Sequence, residues 1–404
     1  MQREHTTTGA SRPLLLSPIS LRSLKIRNRI VVSPMCQYAS VEGGPTDWHL
    51  VQIGRFAMGG AGVVFGEETA IEARGRKTYQ CAGIWGDNHV PAYRRITDFI
   101  RSCGASPAIQ LGHAGRKGAC HGPERDWAPL TEADAARGSA PWETLAPSAL
   151  RSHPDALVPR EMDWDDIREH LRRWREAAVR AVDAGFDILE IHGAHGYLIH
   201  QFLSPIANHR TDAYGGDRSG RMRLALEVAE VVRDVWPSEM PVFFRVSAVD
   251  GKGGQWSLDD SVVLAGELRL RGIDVVDCSS GGMPGSSDMP IVPRVPGYQV
   301  EFAERIRREA AVKTMAVGLI TKAEQAELIL QRGQADLVAL ARELLWNPHW
   351  PADAAKTLMA DRSYDLFPPG IAHRLRRRDE VGALAINQGM PSLTAADAAL
   401  IETT

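Results

Sequence analysis

Short apolar runs alternate with longer amphipathic stretches along most of the chain. Eight runs of six or seven residues are rich in β-branched residues and almost continuously apolar, which is typical of strands buried on both faces of a parallel sheet. The stretches between them, such as residues 165–184 and 221–235, repeat apolar positions at helical spacing. The predicted strands are residues 29–35, 61–67, 107–112, 187–192, 242–247, 274–279, 314–319 and 336–341.

Eight strand–helix repeats in one chain predict an α/β fold of the (β/α)8, or TIM, barrel type. A doubly wound sheet is the structural alternative, and the number of repeats makes it the weaker one. The length of 404 residues fits one large barrel or two ordinary domains. We place the barrel at residues 14–362.

Several segments do not follow the repeat. Residues 14–30 lead into the first strand and predict a short hairpin that closes one end of the barrel. Residues 114–162 form a long excursion after the third strand, and we expect a lid or rim there because long connections in compact domains are usually functional or disordered. Residues 363–381 form a C-terminal extension. We expect flexible tails at residues 1–13 and 382–404.

Composition excludes several classes of protein. The net charge of −3 provides no basic field for nucleic acid or an anionic membrane, and no apolar run approaches the roughly 18 residues of a membrane span. The N-terminus lacks the apolar core of a secretory signal. Five cysteines without a Cys-x-x-Cys pair disfavour a disulfide framework or a cysteine-only metal site. A reducing cytoplasm is therefore the expected compartment.

The clearest chemical motif, His192-Gly-Ala-His195-Gly-Tyr197, directly follows the fourth strand. At the carboxyl end of a barrel strand, both imidazoles can face the mouth and donate to one substrate oxygen, with a phenol beside them to supply a proton. A satisfied pair of core histidines and a metal site remain alternatives, because His-x-x-His also occurs in metal-dependent barrel hydrolases.

Other strand ends carry polar residues that suit a heterocyclic ligand. Cys36 follows the first strand and could present its sulfur to the mouth, although an isolated cysteine is more often a packing residue. Gln110 ends the third strand and could bind the pyrimidine edge of a flavin. Arg245 is a charge inside an apolar strand, where an unpaired cation is costly, so it should meet an anion or an electron-rich ring; a structural ion pair is the alternative.

The seventh and eighth strands end in motifs that suit a phosphate. The seventh strand ends in Val317-Gly318-Leu319 and the eighth in Ala341-Arg342, and the loops after these two strands often bind phosphate in this architecture. Read alone, Gly318 is a turn glycine. The dinucleotide motif G-x-G-x-x-G, the P-loop and G-x-S-x-G are all absent from the chain.

Taken together, these motifs resemble the Old Yellow Enzyme family, in particular its thermophilic-like bacterial branch. The resemblance extends from about Leu14 to His349 and implies a TIM barrel that holds FMN non-covalently at its mouth, with NADPH or NADH as hydride donor. It rests on the segments SPMCQY, IQLGHAGRK, HGAHGYLIHQFLSP, FFRVSA, VDCSSGG, AVGLIT and ALARELL.

The resemblance also implies a role for each candidate residue. His192 and His195 would bind the substrate oxygen, Tyr197 would protonate the α-carbon, and no metal is expected. Tyr38 would contact substrate, and Cys36 would tune the flavin. The residues expected around FMN are Ser33, Pro34, Met35, Cys36 and Glu68 beside the ring, Gln110 and Arg245 at its pyrimidine edge, and Gly318, Ala341 and Arg342 at the phosphate.

The implied activity is reduction of the activated C=C bond of α,β-unsaturated carbonyl compounds by NAD(P)H, with quinones, nitro compounds and nitrate esters as further small-molecule substrates. One alternative is a flavin-dependent dehydrogenase or monooxygenase of the same family that acts on an aromatic or thioester substrate. A non-enzymatic flavin-binding protein is the other. We expect a homodimer or homotetramer in which Arg374 enters the neighbouring subunit's site.

Two positions depart from the family pattern. Glu68 replaces a residue that is usually small and close to the flavin, so its side chain either turns away or narrows the pocket and disfavours the anionic reduced flavin. Ala341 replaces a common glycine beside the phosphate-binding arginine, although its amide can still donate.

Overall fold

An antiparallel hairpin precedes the barrel. The computed structural model of the protein describes residues 12–250, 255–283, 294–359 and 364–387. In chain order the strands are β1 (Ile19–Leu21), β2 (Leu24–Ile26), β3 (Ile30–Val32), β4 (Val63–Ala70), β5 (Ser106–Gly112), β6 (Leu145–Ala146), β7 (Arg160–Glu161), β8 (Ile188–Gly193), β9 (Val242–Ser247), β10 (Val275–Ser279), β11 (Lys313–Ala316) and β12 (Leu337–Leu340).

Eight parallel strands close into a barrel in the order β3-β4-β5-β8-β9-β10-β11-β12, with β12 pairing back to β3. Each of the eight predicted strands overlaps one of these, so the TIM-barrel prediction is confirmed. The hairpin of β1 and β2 is also confirmed, with Ile19 opposite Ile26. β4 contains a register shift between Phe65 and Glu68, where an irregularity re-aims the following side chains.

Helices surround the barrel and alternate with its strands. The longest of those between strands, α4, begins with a reciprocal capping box between Asp163 and Asp166, which satisfies two amide donors of its first turn. The helices are α1 (Asp47–Met58), α2 (Val90–Ser102), α3 (Glu132–Ala135), α4 (Trp164–Asp183), α5 (Leu198–Leu203), α6 (Arg218–Val235), α7 (Leu258–Leu270), α8 (Val300–Ala310), α9 (Ala323–Gln331), α10 (Arg342–Trp346), α11 (Trp350–Met359) and α12 (Pro369–Asn387).

The apolar core has two layers. A large cluster lies between the strands and the helices, and a smaller one fills the barrel interior with residues such as Phe65 and Phe243. The hairpin contributes Ile19, Leu21 and Ile26 to the interior cluster. The hairpin therefore closes the amino end of the barrel, and the opposite end is left as the open mouth.

The excursion of residues 114–162 is a folded rim with its own two-stranded sheet of β6 and β7. Arg210 donates to the carbonyl oxygens of Pro147 and Met162 at 3.2 and 2.5 Å. Trp142 Nε1 donates to the carbonyl oxygen of Arg74 at 3.0 Å. These contacts fasten the segment to the barrel mouth.

The C-terminal extension is helical. α12 continues to Asn387, five residues beyond the expected start of the flexible tail at residue 382. Residues 1–11 and 388–404 lie outside the described residues. Within the described ranges, every helix is too short or too polar to cross a lipid bilayer.

Candidate active site

The two histidines after β8 lie together at the barrel mouth. His192 Nε2 and His195 Nδ1 are 3.4 Å apart, and His195 Nε2 is 2.7 Å from Ser279 Oγ. His195 has a φ of +58°, a left-handed conformation that its amide hydrogen bond to Ser247 Oγ at 2.9 Å helps to hold. His192 Nδ1 is buried and has no hydrogen-bond partner among the described residues.

Both imidazoles are neutral at pH 7. Burial lowers the pKa of His192 and of His195 well below the usual value, and the nearby Arg245 cation acts in the same direction on both. A neutral imidazole carries one N–H donor and one acceptor. The pair can therefore donate hydrogen bonds to an uncharged ligand oxygen.

Tyr197 packs against this pair, and its ring centroid lies 5.2 Å from that of His192. Two ammonium groups face the same phenol ring: Lys77 Nζ at 5.2 Å and Lys117 Nζ at 5.6 Å from its centroid. Burial raises the pKa of Tyr197, whereas the Lys77 cation lowers it. The phenol is thus protonated and ready to donate, with a cation placed to stabilise the phenolate.

A buried ion pair between Glu68 and Lys77 lies directly beneath this phenol. Both side chains are nearly inaccessible, at 6% and 5% exposure. Lys77 Nζ also donates to Cys36 Sγ at 3.2 Å. Burial opposes the Lys77 charge, but Cys36 and Glu68 hold its pKa well above the usual value. Burial raises the pKa of the Cys36 thiol to about 12, while the Lys77 cation acts in the opposite direction.

The ion pair with Lys77 shows which way the Glu68 side chain points. The irregularity in β4 turns it towards Gly112, where a Cβ would lie 2.5 Å from Glu68 Oε1. Its carboxylate is neutralised by Lys77 and stays within the wall of the mouth. The expected charge repulsion against a reduced flavin is therefore offset by a neighbouring cation that sequence reasoning missed.

A second missed network fixes the loop after β3. His49 Nδ1 accepts from the Thr46 amide at 2.9 Å, so its Nε2–H donates to Glu67 Oε1 at 2.8 Å. Glu67 Oε2 in turn accepts from the Gln37 amide at 3.2 Å. The buried carboxylate of β4 thus positions the segment that carries Cys36.

Two backbone amides at the end of β3, which were expected to contact the flavin, already donate hydrogen bonds within the protein. The Ser33 backbone amide donates to the carbonyl oxygen of Leu340 at 2.9 Å, and the Met35 backbone amide donates to that of Gly66 at 3.0 Å. Pro34 has no amide hydrogen. The backbone donors expected to face a flavin are therefore fewer than the motif suggested.

Arg245 forms an ion pair, the alternative that sequence reasoning ranked lower. Its Nε lies 2.9 Å from Asp277 Oδ2, and its Nη1 donates to Ser33 Oγ at 3.3 Å. Gln110 Nε2 donates to Glu190 Oε1 at 2.8 Å, and burial next to Asp277 raises the pKa of Glu190 well above the usual value. Arg245 lines a cavity at the strand ends, whereas Gln110 is buried, and each side chain is already held by a buried acid.

The residues expected at a phosphate converge on one cavity of about 360 Å³ beyond the ends of β11 and β12. Gly318 has a φ of +123°, and a Cβ there would lie 3.0 Å from both Gln299 and Tyr298, so the position requires glycine. Arg342 is exposed and makes no hydrogen bond or ion pair with any described residue. The lining residues include Arg245, Gly318, Ala341 and Arg342.

A second cavity, of about 460 Å³, opens between the mouth and the rim. Tyr38 and Tyr197 line it from the barrel side. The rim contributes Trp127, whose ring packs edge-on against Tyr38 at 5.2 Å. The excursion therefore forms one wall of this cavity.

Within the described ranges, one group of three side chains has metal-ligand spacing: Glu72, His113 and His170. His113 Nδ1 accepts from the Gly115 amide, so its Nε2–H donates to Glu72 at 3.0 Å. His170 Nε2 accepts from Trp174 at 2.9 Å. These hydrogen bonds place protons on the nitrogens that would face a metal, so the group is a buried polar network.

Arg374 lies on the exposed part of α12, away from the mouth of its own chain. Its neighbours Arg376 and Arg378 bind Asp365 and Asp379 on the same surface. The entry of Arg374 into the site of a neighbouring subunit, in a homodimer or homotetramer, stays a prediction.

Comparison with known proteins gives a consistent result along almost the whole barrel. The sequence model of the NADH:flavin oxidoreductase / NADH oxidase family matches residues 14–361. An NADPH dehydrogenase of Geobacillus sp. (strain WCH70) is 44% identical over 348 residues, covering 85% of this chain and 94% of the relative. An NADPH dehydrogenase of Bacillus subtilis (strain 168) is 40% identical over 346 residues, covering 85% and 95%.

Solved structures agree. Morphinone reductase in complex with tetrahydroNAD superposes with a TM-score of 0.71 at 26% identity, covering 86% of this chain and 92% of that one. The old yellow enzyme homologue from Zymomonas mobilis gives a TM-score of 0.71 at 25% identity, covering 85% and 93%.

Proposed function

This chain belongs to the NADH:flavin oxidoreductase / NADH oxidase family, the Old Yellow Enzyme family, and from that membership we propose that it is an FMN-dependent ene reductase. It is a flavin-dependent NAD(P)H oxidoreductase. The proposed substrates are α,β-unsaturated carbonyl compounds, and the proposed hydride donor is NADPH. One observation carries the proposal: two neutral imidazoles lie side by side with a partly buried phenol that lines the substrate cavity.

The residues at the mouth fit FMN. The cavity beyond β11 and β12 offers the Arg342 guanidinium, which has no partner in the described part of the chain, and the open backbone of Gly318, and this combination suits a phosphate. His192 Nδ1 has no hydrogen-bond partner among the described residues, and Cys36 is a free thiol, so both remain available to a ligand at the mouth. When bound, FMN would accept hydride from the nicotinamide and pass it to the substrate.

The His pair would bind and polarise the substrate carbonyl. Donation from two neutral imidazoles withdraws electron density from the oxygen and makes the β-carbon of an enone more electrophilic. Ser279 Oγ, 2.7 Å from His195 Nε2, and the Ser247 hydrogen bond to the His195 amide hold that ring in position. Because the imidazoles are neutral, no charge has to be desolvated when an uncharged substrate binds.

Tyr197 would supply the proton to the α-carbon. Its hydroxyl belongs to a buried phenol, which keeps the proton until a strong carbon base develops in the substrate. The phenolate that remains is stabilised by Lys77, whose own charge Glu68 balances.

The direct test uses the purified protein with its cofactor. We expect a yellow protein with the absorption spectrum of FMN, bleached by NADPH without oxygen and recoloured by cyclohexenone at a rate that depends on enone concentration. A colourless protein that does not take up FMN would overturn the proposal. Recolouring by an aromatic thioester but not by any enone would favour the dehydrogenase alternative.

Substitution of either histidine should weaken carbonyl binding. We expect His192→Ala or His195→Ala to raise the barrier of enone reduction by about 2–4 kcal/mol, because one oxygen-facing donor is removed. The measurement is kcat/KM for cyclohexenone, together with the dissociation constant of a phenol followed by the flavin spectrum. Asn at the same positions retains an N–H donor and serves as the matched control.

The metal interpretation of the His pair predicts a different result. Inhibition of the wild-type enzyme by a chelator, reversed by added zinc, would show that the two imidazoles hold a metal ion and would contradict their role in binding oxygen.

A further inference from the structure

Two adjacent cations in the rim cavity lack an acidic partner. Arg116 and Lys117 follow β5, and neither forms an ion pair with any carboxylate in the described part of the chain. Arg116 is 3% exposed. Lys117 is half-buried beside it. Buried charges in proteins are normally paired, so a buried guanidinium next to a second cation, with no acidic partner among the described residues, points to an anion that binds there.

The hydrogen bonds of Arg116 do not compensate its charge. Nη1 donates to the carbonyl oxygens of Leu150 and Arg151 at the long distances of 3.3 and 3.4 Å, and Nη2 approaches Met283 Sδ at 3.6 Å. Its Nε is buried and has no partner among the described residues. Burial lowers the pKa of Arg116 to about 10, a sign of an unfavourable site for the free cation.

Among the described residues, the Lys117 ammonium makes hydrogen bonds to backbone carbonyl oxygens, and it also faces the Tyr197 ring. Its ammonium donates to the carbonyl oxygens of His195 at 2.8 Å and Gly282 at 2.5 Å. An ammonium has three N–H donors, so one donor remains. Burial, followed by the neighbouring Arg116 charge, lowers the pKa of Lys117 to about 8.

The cavity around these two residues is electropositive. Arg116 and Lys117 supply this charge, because Lys77, which also lines the cavity, is paired with Glu68, and no Asp or Glu is among the lining residues. Tyr197 and Tyr38 line the same space, so the cations lie along a path that begins at the proposed proton donor. Charges in a recess with low-dielectric walls act more strongly on a ligand than the same charges on an open surface.

We propose that Arg116 and Lys117 form an anion subsite of the substrate cavity, and that the enzyme prefers unsaturated carbonyl substrates bearing an anionic oxygen group, such as a carboxylate. The inference rests on the proposed function and names its substrate class. Arg116 is suited to a planar carboxylate through its fork of donors, and Lys117 adds a point charge between that group and Tyr197.

The test compares matched substrates on the FMN-loaded enzyme. Cyclohexenones carrying a carboxylate on tethers of one, two or three methylenes are assayed beside their methyl esters, which have nearly the same shape and no charge. We expect at least one acid to exceed its ester in kcat/KM by roughly tenfold. Lys117→Gln and Arg116→Met should abolish that ratio, mainly through KM, even where both substrates become slower.

Arg151→Gln is the matched control, because Arg151 is an exposed cation of the same rim that does not line the cavity. It should leave the acid-to-ester ratio as in the wild type. If Arg116→Met does not fold, as judged by its flavin spectrum and melting temperature, Lys117→Gln decides alone, since Lys117 bonds only to two carbonyl oxygens.

The remaining outcomes distinguish a failure of the anion subsite from a failure of the proposed function. If every ester is reduced as well as its acid, the anion subsite is wrong and the ene-reductase proposal stands. If neither acid nor ester nor cyclohexenone is reduced, the proposed function itself fails. If Lys117→Gln raises KM for NADPH and leaves the acid-to-ester ratio unchanged, the anion is a phosphate of the nicotinamide donor and the substrate preference is wrong.

Discussion

Replacing Tyr197 with Phe is expected to slow the reoxidation of the reduced enzyme by cyclohexenone by about 100-fold or more. The substitution keeps the ring that packs against His192 and removes only the acidic hydroxyl, and a positioned general acid typically contributes a factor of about 10²–10⁴. Reduction of the flavin by NADPH requires no proton from Tyr197, so that rate should stay within about twofold. Stopped-flow absorbance of the flavin measures the two half-reactions separately.

Tyr38→Phe is the matched control, because it removes the other phenol of the same cavity. It should change KM more than the rate of proton transfer. Equal slowing of both half-reactions in Tyr197→Phe would contradict the assignment, since it would show that the hydroxyl positions ligands in general.

Removal of Glu68 is expected to lower the free energy of unfolding by about 3–5 kcal/mol. In Glu68→Ala the Lys77 ammonium stays buried without its counter-ion, and breaking a buried pair from one side is among the most costly single changes. The free energy of unfolding of the wild type and Glu68→Ala is measured by urea denaturation of the FMN-loaded protein.

The double variant Glu68→Ala/Lys77→Met is the decisive control. It removes both charges, so most of the lost stability should return, whereas two independent sites would give additive losses. Glu68→Gln retains an oxygen acceptor for Lys77, so its free energy of unfolding should lie between those of the wild type and Glu68→Ala. A single variant as stable as the wild type would show that Lys77 finds water or another acceptor, and that the pair is not structurally important.

The barrel itself is readable from the sequence because each strand is buried on both faces. For residues 242–247 the predicted and observed strands coincide, because the apolar run extends over Val242–Phe244 and resumes at Val246 after Arg245. The errors lie at strand ends. β11 ends at Ala316, earlier than predicted, because Gly318 adopts a φ of +123° and turns the chain away. β4 extends to Ala70, later than predicted, because its register shift admits polar side chains.

The site was predictable where its residues are close in sequence. His192, His195 and Tyr197 occupy one short motif, and the structure brings their rings together. Lys77 was missed because its partners, Glu68 and Cys36, are brought to it by the fold and by the irregularity in β4. The Asp277 partner of Arg245 was missed because the two residues lie on different strands that the fold brings together, and each alone looks like an isolated charge in a strand.

Because the rim of residues 114–162 is one continuous segment, part of the substrate cavity is encoded separately from the residues expected to bind the cofactor phosphate. Trp127 and the residues around it reach the substrate cavity, whereas Gly318 and Arg342 lie in the cavity expected to take the phosphate. Substitutions that reshape the rim leave the strand ends of β11 and β12 untouched. Laboratory evolution of new substrates can therefore be confined to one contiguous stretch of the gene, and a library there explores selectivity without passing through variants that have lost the cofactor.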